Sequence, residues 1–230
     1  MKISINITDN QFSAATKEEM WNIYKKYYNY SKSSFMERVA NNNHFSLYTN
    51  QGKIVGFTGL RINKVQSDKK SKLLIYFGQT VIDKQFRGKA LLPITGAKLC
   101  MKYFWDLLRS DVYFWCDALN YKPYLVFAKT LADFYPTRKR NMPKAIKNLI
   151  DFIGNQHYKE SYCPETGTVL KPVNLVSDLS VRVYENDRKD VDIQFYMKGN
   201  PGYIDGHGLI TLAPVNFSNF NLLLKRFINK

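Results

Sequence analysis

Arg87-Gly88-Lys89 follows a run of branched and aromatic residues, Leu73–Ile82, and precedes an apolar helical pattern. The run has the composition of a buried strand. Gly78 interrupts it, where a bulge or the close approach of another backbone is expected. A helix is predicted from Arg87 to about Arg109. Its first turn would leave backbone N–H groups without acceptors beside two cations and a glycine, which is an anion-binding arrangement. Arg87 is the side chain suited to hold a phosphate through two hydrogen bonds.

Other residue types that do chemistry are sparse. Cys100, Cys116 and Cys163 are odd in number and lack a C-x-x-C pair, so neither a disulfide framework nor a zinc site is indicated. His44, His157 and His207 share no ligand spacing with them, and no metal is expected. Cys116, inside a predicted strand, reads as a small hydrophobe rather than a covalent nucleophile.

The elements that must position the Arg87 loop are readable in order. Lys2–Thr8 alternates as a half-buried strand. Thr16-Lys17-Glu18-Glu19 and Ser34-Phe35-Met36-Glu37 have the form of capping boxes, the first opening a helix with Met20, Trp21, Tyr24 and Tyr28 on one face. Strands are predicted at Phe45–Thr49 and Ile54–Ile62, joined by a hairpin turn at Gly52, and these lead into Leu73–Ile82. Val112–Cys116 is a further strand, and Pro123 fits the first turn of a helix Tyr124–Phe134. Met142–Tyr158 is amphipathic, and Cys163–Gly167 forms a turn. Strands Leu179–Tyr184, Ile193–Met197 and Leu209–Ala213 and a closing helix Phe217–Ile228 complete the chain.

With 230 residues and 45% hydrophobic content the chain can bury a substantial core. Its 16 Tyr and 15 Phe are spread along it and read as core filling. No run approaches a membrane span and Met1-Lys2-Ile3-Ser4 lacks a signal-peptide core, so the expected compartment is cytoplasmic. The net charge of +15, in short clusters such as Lys69–Lys72 and Arg138–Arg140, favours anionic partners: CoA, an acidic carrier protein, nucleic acid or an anionic membrane face. No nucleic-acid recognition motif is present, and nucleic acid is not the expected partner.

The run Ile82–Leu92, IDKQFRGKALL, resembles the acyl-CoA-binding motif of the GCN5-related N-acetyltransferase (GNAT) superfamily, in which a strand ends in a [Q/R]-x-x-G-x-[G/A] loop. Read from Gln85, the pattern fits through Gly88 and Ala90. Read from Arg87, the preferred register, Arg87-Gly88-Lys89 matches residue for residue, with Ala90 and Leu92 where the family has glycines. The resemblance implies an α/β (α+β) fold, a mixed central sheet flanked by helices, agreeing with the element order from Lys2 to Tyr135. It implies one domain over residues 1–230: a core at 1–140, a helical insertion at about 141–172 and C-terminal strands and helix at 173–230. It further implies an N-acyltransferase moving an acyl group, expected to be acetyl, from acyl-CoA to an amine acceptor. Acetyl-CoA or another acyl-CoA would be the co-substrate, bound by Thr80, Val81, Ile82, Arg87, Gly88, Lys89, Ala90 and Leu91. A tyrosine on the helix after the next strand often protonates the departing thiolate in this family. Phe127 falls near that point, which leaves Tyr124 and Tyr135 as the catalytic candidates. An acidic acyl-carrier protein as donor and a non-catalytic module binding an acidic partner or nucleic acid are the alternatives.

Overall fold

The computed structural model describes residues 3–66, 70–171 and 182–228. In chain order the elements are β1 (Ser4–Asp9), α1 (Ala14–Tyr24), α2 (Lys32–Ala40), β2 (His44–Asn50), β3 (Lys53–Val65), β4 (Lys72–Ile82), α3 (Leu91–Lys102), α4 (Phe104–Arg109), β5 (Asp111–Ala118) and α5 (Tyr121–Thr130). There follow α6 (Lys144–Tyr158), β6 (Tyr162–Cys163), β7 (Thr168–Leu170), α7 (Val191–Gly199), β8 (His207–Pro214) and α8 (Phe217–Ile228). The fold is mixed α/β, and the eight strands have the order β1-β2-β3-β4-β5-β8-β7-β6. Internal contacts group the chain into two compact units. One takes the residues up to Phe114 and again from Val215; the other takes the described residues between them.

In the first unit β1, β2, β3 and β4 pair antiparallel in succession. The β2–β3 turn places Gln51 at φ 49° and Gly52 at φ 78°, the pair of left-handed residues that a tight hairpin requires. β5 starts beside the start of β4, where Asp111 N–H donates to Ser71 O at 3.0 Å. The two strands therefore run the same way, with α3 and α4 as the crossover, and the sheet is mixed. Apolar clusters cover both faces. Met20, Tyr24, Phe35 and Val39 of α1 and α2 pack with Phe45, Phe57 and Val81. On a second cluster, Leu91 and Ile94 of α3 meet Ile5, Tyr48, Val55 and Phe86.

Several boundaries differ from the sequence expectation for local reasons. Ser13 and Ser31 cap α1 and α2, three residues ahead of the predicted boxes. Ser13 Oγ accepts from Thr16 N–H at 3.1 Å, and Glu19 accepts from Ile54 N–H at 2.7 Å instead of closing a box. The helix predicted from Arg87 to about Arg109 begins at Leu91 and is interrupted at Tyr103. Gly88 at φ 76° and Ala90 at φ 52° lie outside the right-handed helical region, so the cations sit in a loop before the helix.

In the second unit the order is β5-β8-β7-β6. β7 pairs antiparallel with both neighbours, and Gly167 at φ 70° turns the β6–β7 hairpin. The segment expected to be a helical insertion thus carries α6 and two strands of the sheet. Helix α5 begins at Tyr121, capped by Asn120, which accepts from Lys122 N–H at 3.0 Å, and it ends at Thr130 rather than Phe134. The strand predicted at Ile193–Met197 is helix α7. Asp190 caps it, accepting from Asp192 N–H at 2.8 Å, and Ile193 and Tyr196 are buried at helical spacing. A five-residue run such as Ile193–Met197 fits either period, and the cap decides. Of the predicted strand Leu179–Tyr184, residues 179–181 lie outside the described residues, and 182–184 form no strand.

Candidate functional site

The site is built where β4 leaves the sheet, within the first unit. Phe57 opposes Val81 and Gly59 opposes Gly78, so β4 holds one more residue than β3 between those pairs. This is the bulge foreseen at Gly78, and its left-handed residue is Gln79 at φ 46°. Its side chain is tied to α2 and the loop after it. Asn42 Nδ2 donates to Gln79 Oε1 at 2.8 Å and to Arg38 O at 2.9 Å.

Beyond the bulge the backbone turns outward. Asp83 N–H donates to Val55 O at 2.9 Å while Gly56 faces Ile82, which makes Gly56–Ile82 a non-hydrogen-bonded pair. The N–H and C=O of Ile82 therefore point away from β3. Tyr28 Oη donates to Thr80 O at 2.8 Å. The Thr80 hydroxyl begins a buried series: it donates to Thr58 Oγ1 at 3.2 Å, Thr58 meets Tyr48 Oη at 2.8 Å, and Tyr48 meets Thr95 Oγ1 at 3.2 Å. Thr95 donates to Leu91 O at 2.9 Å, in the first turn of α3. Burial pushes the Tyr48 hydroxyl pKa up, while the hydroxyls bonded to it pull the other way.

The loop itself is held at its edges and open in its middle. Phe86, buried with Leu91 and Ile94, anchors it. The amides of Gly88, Lys89, Ala90, Leu91 and Leu92 make no hydrogen bond among the described residues, Pro93 has none to offer, and the helical ladder starts with Ile94 N–H to Ala90 O at 3.0 Å. A Cβ added to Gly88 would meet nothing within 4 Å. Lys89 Nζ stands 5.7 Å from the Phe86 ring centroid. Successive free amides with left-handed residues among them form an anion-binding concavity at a helix start.

Arg87 differs from the surface phosphate clamp that its position predicts. It is half-buried, its Nε donates to Ile82 O at 2.9 Å, and its guanidinium lies 4.5 Å from the Tyr27 ring centroid. Tyr27 in turn accepts from Lys84 N–H at 2.9 Å and donates to Asp83 at 3.4 Å, and Lys26 pairs with Asp83 at 3.3 Å. Arg87 thus fixes the loop to β4 and to the end of α1, leaving the backbone amides as the open donors. The roles of Tyr27, Tyr28 and Asp83 went unforeseen, because contacts between residues more than fifty apart in the chain leave no local pattern. The only signal was the pair of tyrosines just past the end of α1.

The tyrosine candidates belong to the second unit. Tyr124 is fully buried among Phe134, Phe195 and Tyr196, and its hydroxyl donates to Pro136 O at 3.2 Å. Burial, aided by the nearby Asp192 and opposed by Arg138, pushes its pKa far above the ordinary tyrosine value. Tyr135 bridges Leu212 through its backbone, and its hydroxyl has no hydrogen bond among the described residues. Neither lines the apolar cavity of about 270 Å³ formed by Pro136, Met142, Ile150, Leu209 and Ile210 with Lys147 and Glu165. Burial pushes the Cys116 thiol pKa well up, in keeping with a hydrophobic role. At the end of β5, Asp117 accepts from Tyr158 Oη and pairs with Lys171 Nζ; the acidic and basic side chains are 6% and 13% exposed. Among the described residues no His, Cys, Asp and Glu cluster could hold a metal, and no helix is long and apolar enough to cross a membrane.

No family model matches the chain, and no curated protein matches it. Among the solved structures it resembles are acetyltransferases, all at low identity. An aminoglycoside acetyltransferase from an uncultured soil metagenomic sample is 13% identical, with 62% of this chain and 99% of that chain covered and a TM-score of 0.40. The aminoglycoside antibiotic 6'-N-acetyltransferase AAC(6')-IG of Acinetobacter haemolyticus is 11% identical, covering 60% and 97%, with a TM-score of 0.43. NAA60 of Arabidopsis thaliana in complex with acetyl-CoA is 13% identical, covering 55% and 84%, with a TM-score of 0.40. Likeness at this level carries no argument about chemistry, which must come from the loop.

Proposed function

We propose that the chain is an N-acyltransferase that takes an acyl group, acetyl in the first instance, from acyl-CoA and passes it to an amine. The observation that carries this reading is the loop between β4 and α3, where five consecutive amides have no acceptor among the described residues. In this reading Gly88, Lys89, Ala90 and Leu91 hold the diphosphate through their amides, and Lys89 adds its charge. The end of β4 at Thr80, Val81 and Ile82 runs along the pantetheine arm, and the Ile82 N–H, directed away from β3, is its main-chain donor.

The reaction is placement followed by direct attack. The amine nitrogen adds to the thioester carbonyl carbon, the C–S bond breaks, and the nitrogen loses a proton to a base or to water. The CoA thiolate leaves with the sulfur electron pair and is protonated. Of the two tyrosine candidates, Tyr124 already donates its hydroxyl to the Pro136 carbonyl, which leaves Tyr135 as the one to test as proton donor.

Thermal melts test the reading. Acetyl-CoA at about 100 times its dissociation constant should add roughly 2.7 kcal/mol and raise the Tm by several degrees. Thiol release with a panel of primary amines would then identify the acceptor, and Tyr135→Phe should lower kcat without weakening the melt shift. A shift with acyl-carrier protein but none with acetyl-CoA or long-chain acyl-CoA would transfer the donor to the carrier. Absence of a response to all three would overturn the proposal.

A further inference from the structure

The helix that follows the loop ends in a part of the surface unlike the rest of the first unit. Met101 is 42% exposed, Phe104 42%, Trp105 66% and Leu108 60%, and the Phe104 and Trp105 rings are in contact, 5.6 Å between centroids. These positions recur at intervals of three and four residues and share one side of the α3–α4 segment. Phe217, at the start of α8, is 81% exposed. Leu223 of α8 lies against Gly96 of α3, while Phe227 packs on the cluster to which Leu91 and Ile94 belong, so the two helices are antiparallel. Phe217, six residues before Leu223, therefore lies level with Lys102, six residues after Gly96.

We propose that this face docks on an anionic lipid surface. The charges around it select that occupant. Lys98, Lys102 and Arg109 hold no ion pair among the described residues. The acidic neighbours are neutralised, Asp106 by Lys64 at 3.5 Å and Asp111 by Lys70 at 3.3 Å. A bulky apolar face with an exposed tryptophan and unopposed cations around it has the chemistry of an interfacial membrane contact. A second copy of the chain would bring the same cations, and another +15, against the first. The inference stands apart from the acyltransfer reading, because none of these residues belongs to the loop.

Vesicles of phosphatidylcholine alone, and of an equal mixture of phosphatidylcholine and phosphatidylserine, provide the test. The protein should sediment with the mixed vesicles only, less so as salt is raised, and its tryptophan emission should shift to the blue. Trp21 is half-buried and Trp115 buried, which leaves Trp105 as the reporter. The double variant Trp105→Ser, Leu108→Ser should bind about tenfold more weakly with an unchanged Tm, since it alters only exposed side chains. Lys102→Glu, a variant that keeps the apolar face, should weaken binding in the same direction. Failure to bind the mixed vesicles at low salt would overturn the proposal. So would binding that the double variant leaves intact, which would mean charge alone, or a dimer in sedimentation velocity that the double variant dissolves without any vesicle binding.

Discussion

In the loop after β4, five consecutive amides from Gly88 to Leu92 are without an acceptor among the described residues, whereas at the end of β5 the Asp117 carboxylate is enclosed by Lys171 and Tyr158. Both regions are polar and both follow a strand of the sheet. They differ in what the fold has already done with their hydrogen-bonding capacity. A buried carboxylate must be matched within the protein, because leaving it unmatched costs several kcal/mol. Amides at an open helix start can be satisfied by water, and so they stay available to an anion. The distinction separates groups that hold the chain together from groups that can receive a ligand, and it is sharper than charge alone.

The strongest way to break that comparison is to remove a partner from the closed region. Lys171→Met should leave the buried Asp117 charge without its cation and destabilise the protein by about 3–5 kcal/mol in urea unfolding. A cost below about 1 kcal/mol would show that Asp117 is solvated like a surface group. Arg87 stands between the two classes, and replacing it measures to which it belongs. Arg87→Ala removes the guanidinium bond to the Ile82 carbonyl and the stacking on Tyr27, and should lower unliganded stability by about 2 kcal/mol. An unchanged Tm with a lost acyl-CoA response would instead return Arg87 to the open class. The smallest expected effect sharpens the open region. Ala90→Gly relieves a left-handed alanine, at φ 52°, worth about 1 kcal/mol, and gives back part of this in unfolded-chain entropy. The net change should be a stabilisation of a few tenths of a kcal/mol, with acyl-CoA bound at least as tightly.

What could be read from the sequence follows the same division. The run Leu73–Ile82, the glycine that marks the bulge, and the Arg87-Gly88-Lys89 loop were legible because backbone geometry leaves a signature in residue type. Ala90 shows why a glycine is usual at its place, since its φ is one that a Cβ opposes. The start of α3 was misplaced because cations and glycine look the same in a first turn as in the loop before it. Helix α7 was misread because Ile193–Met197 is too short to show a period, and the deciding Asp190 cap lies outside the run. The tethering of Arg87 by Tyr27 and the closing of Asp117 by Lys171 were not legible at all. Each joins residues far apart in the chain, through side chains whose types allow many other partners.

The buried hydroxyl series from Thr80 to Leu91 has a fixed sense. Each hydroxyl owns one proton. Thr95 gives its proton to the Leu91 carbonyl and must accept from Tyr48; Tyr48 must then accept from Thr58, and Thr58 from Thr80, which is the direction found. The small dipoles consequently add instead of cancelling. At the β4 end this leaves the Thr80 oxygen with lone pairs and no proton to give, so toward any molecule lying along that strand it is an acceptor only.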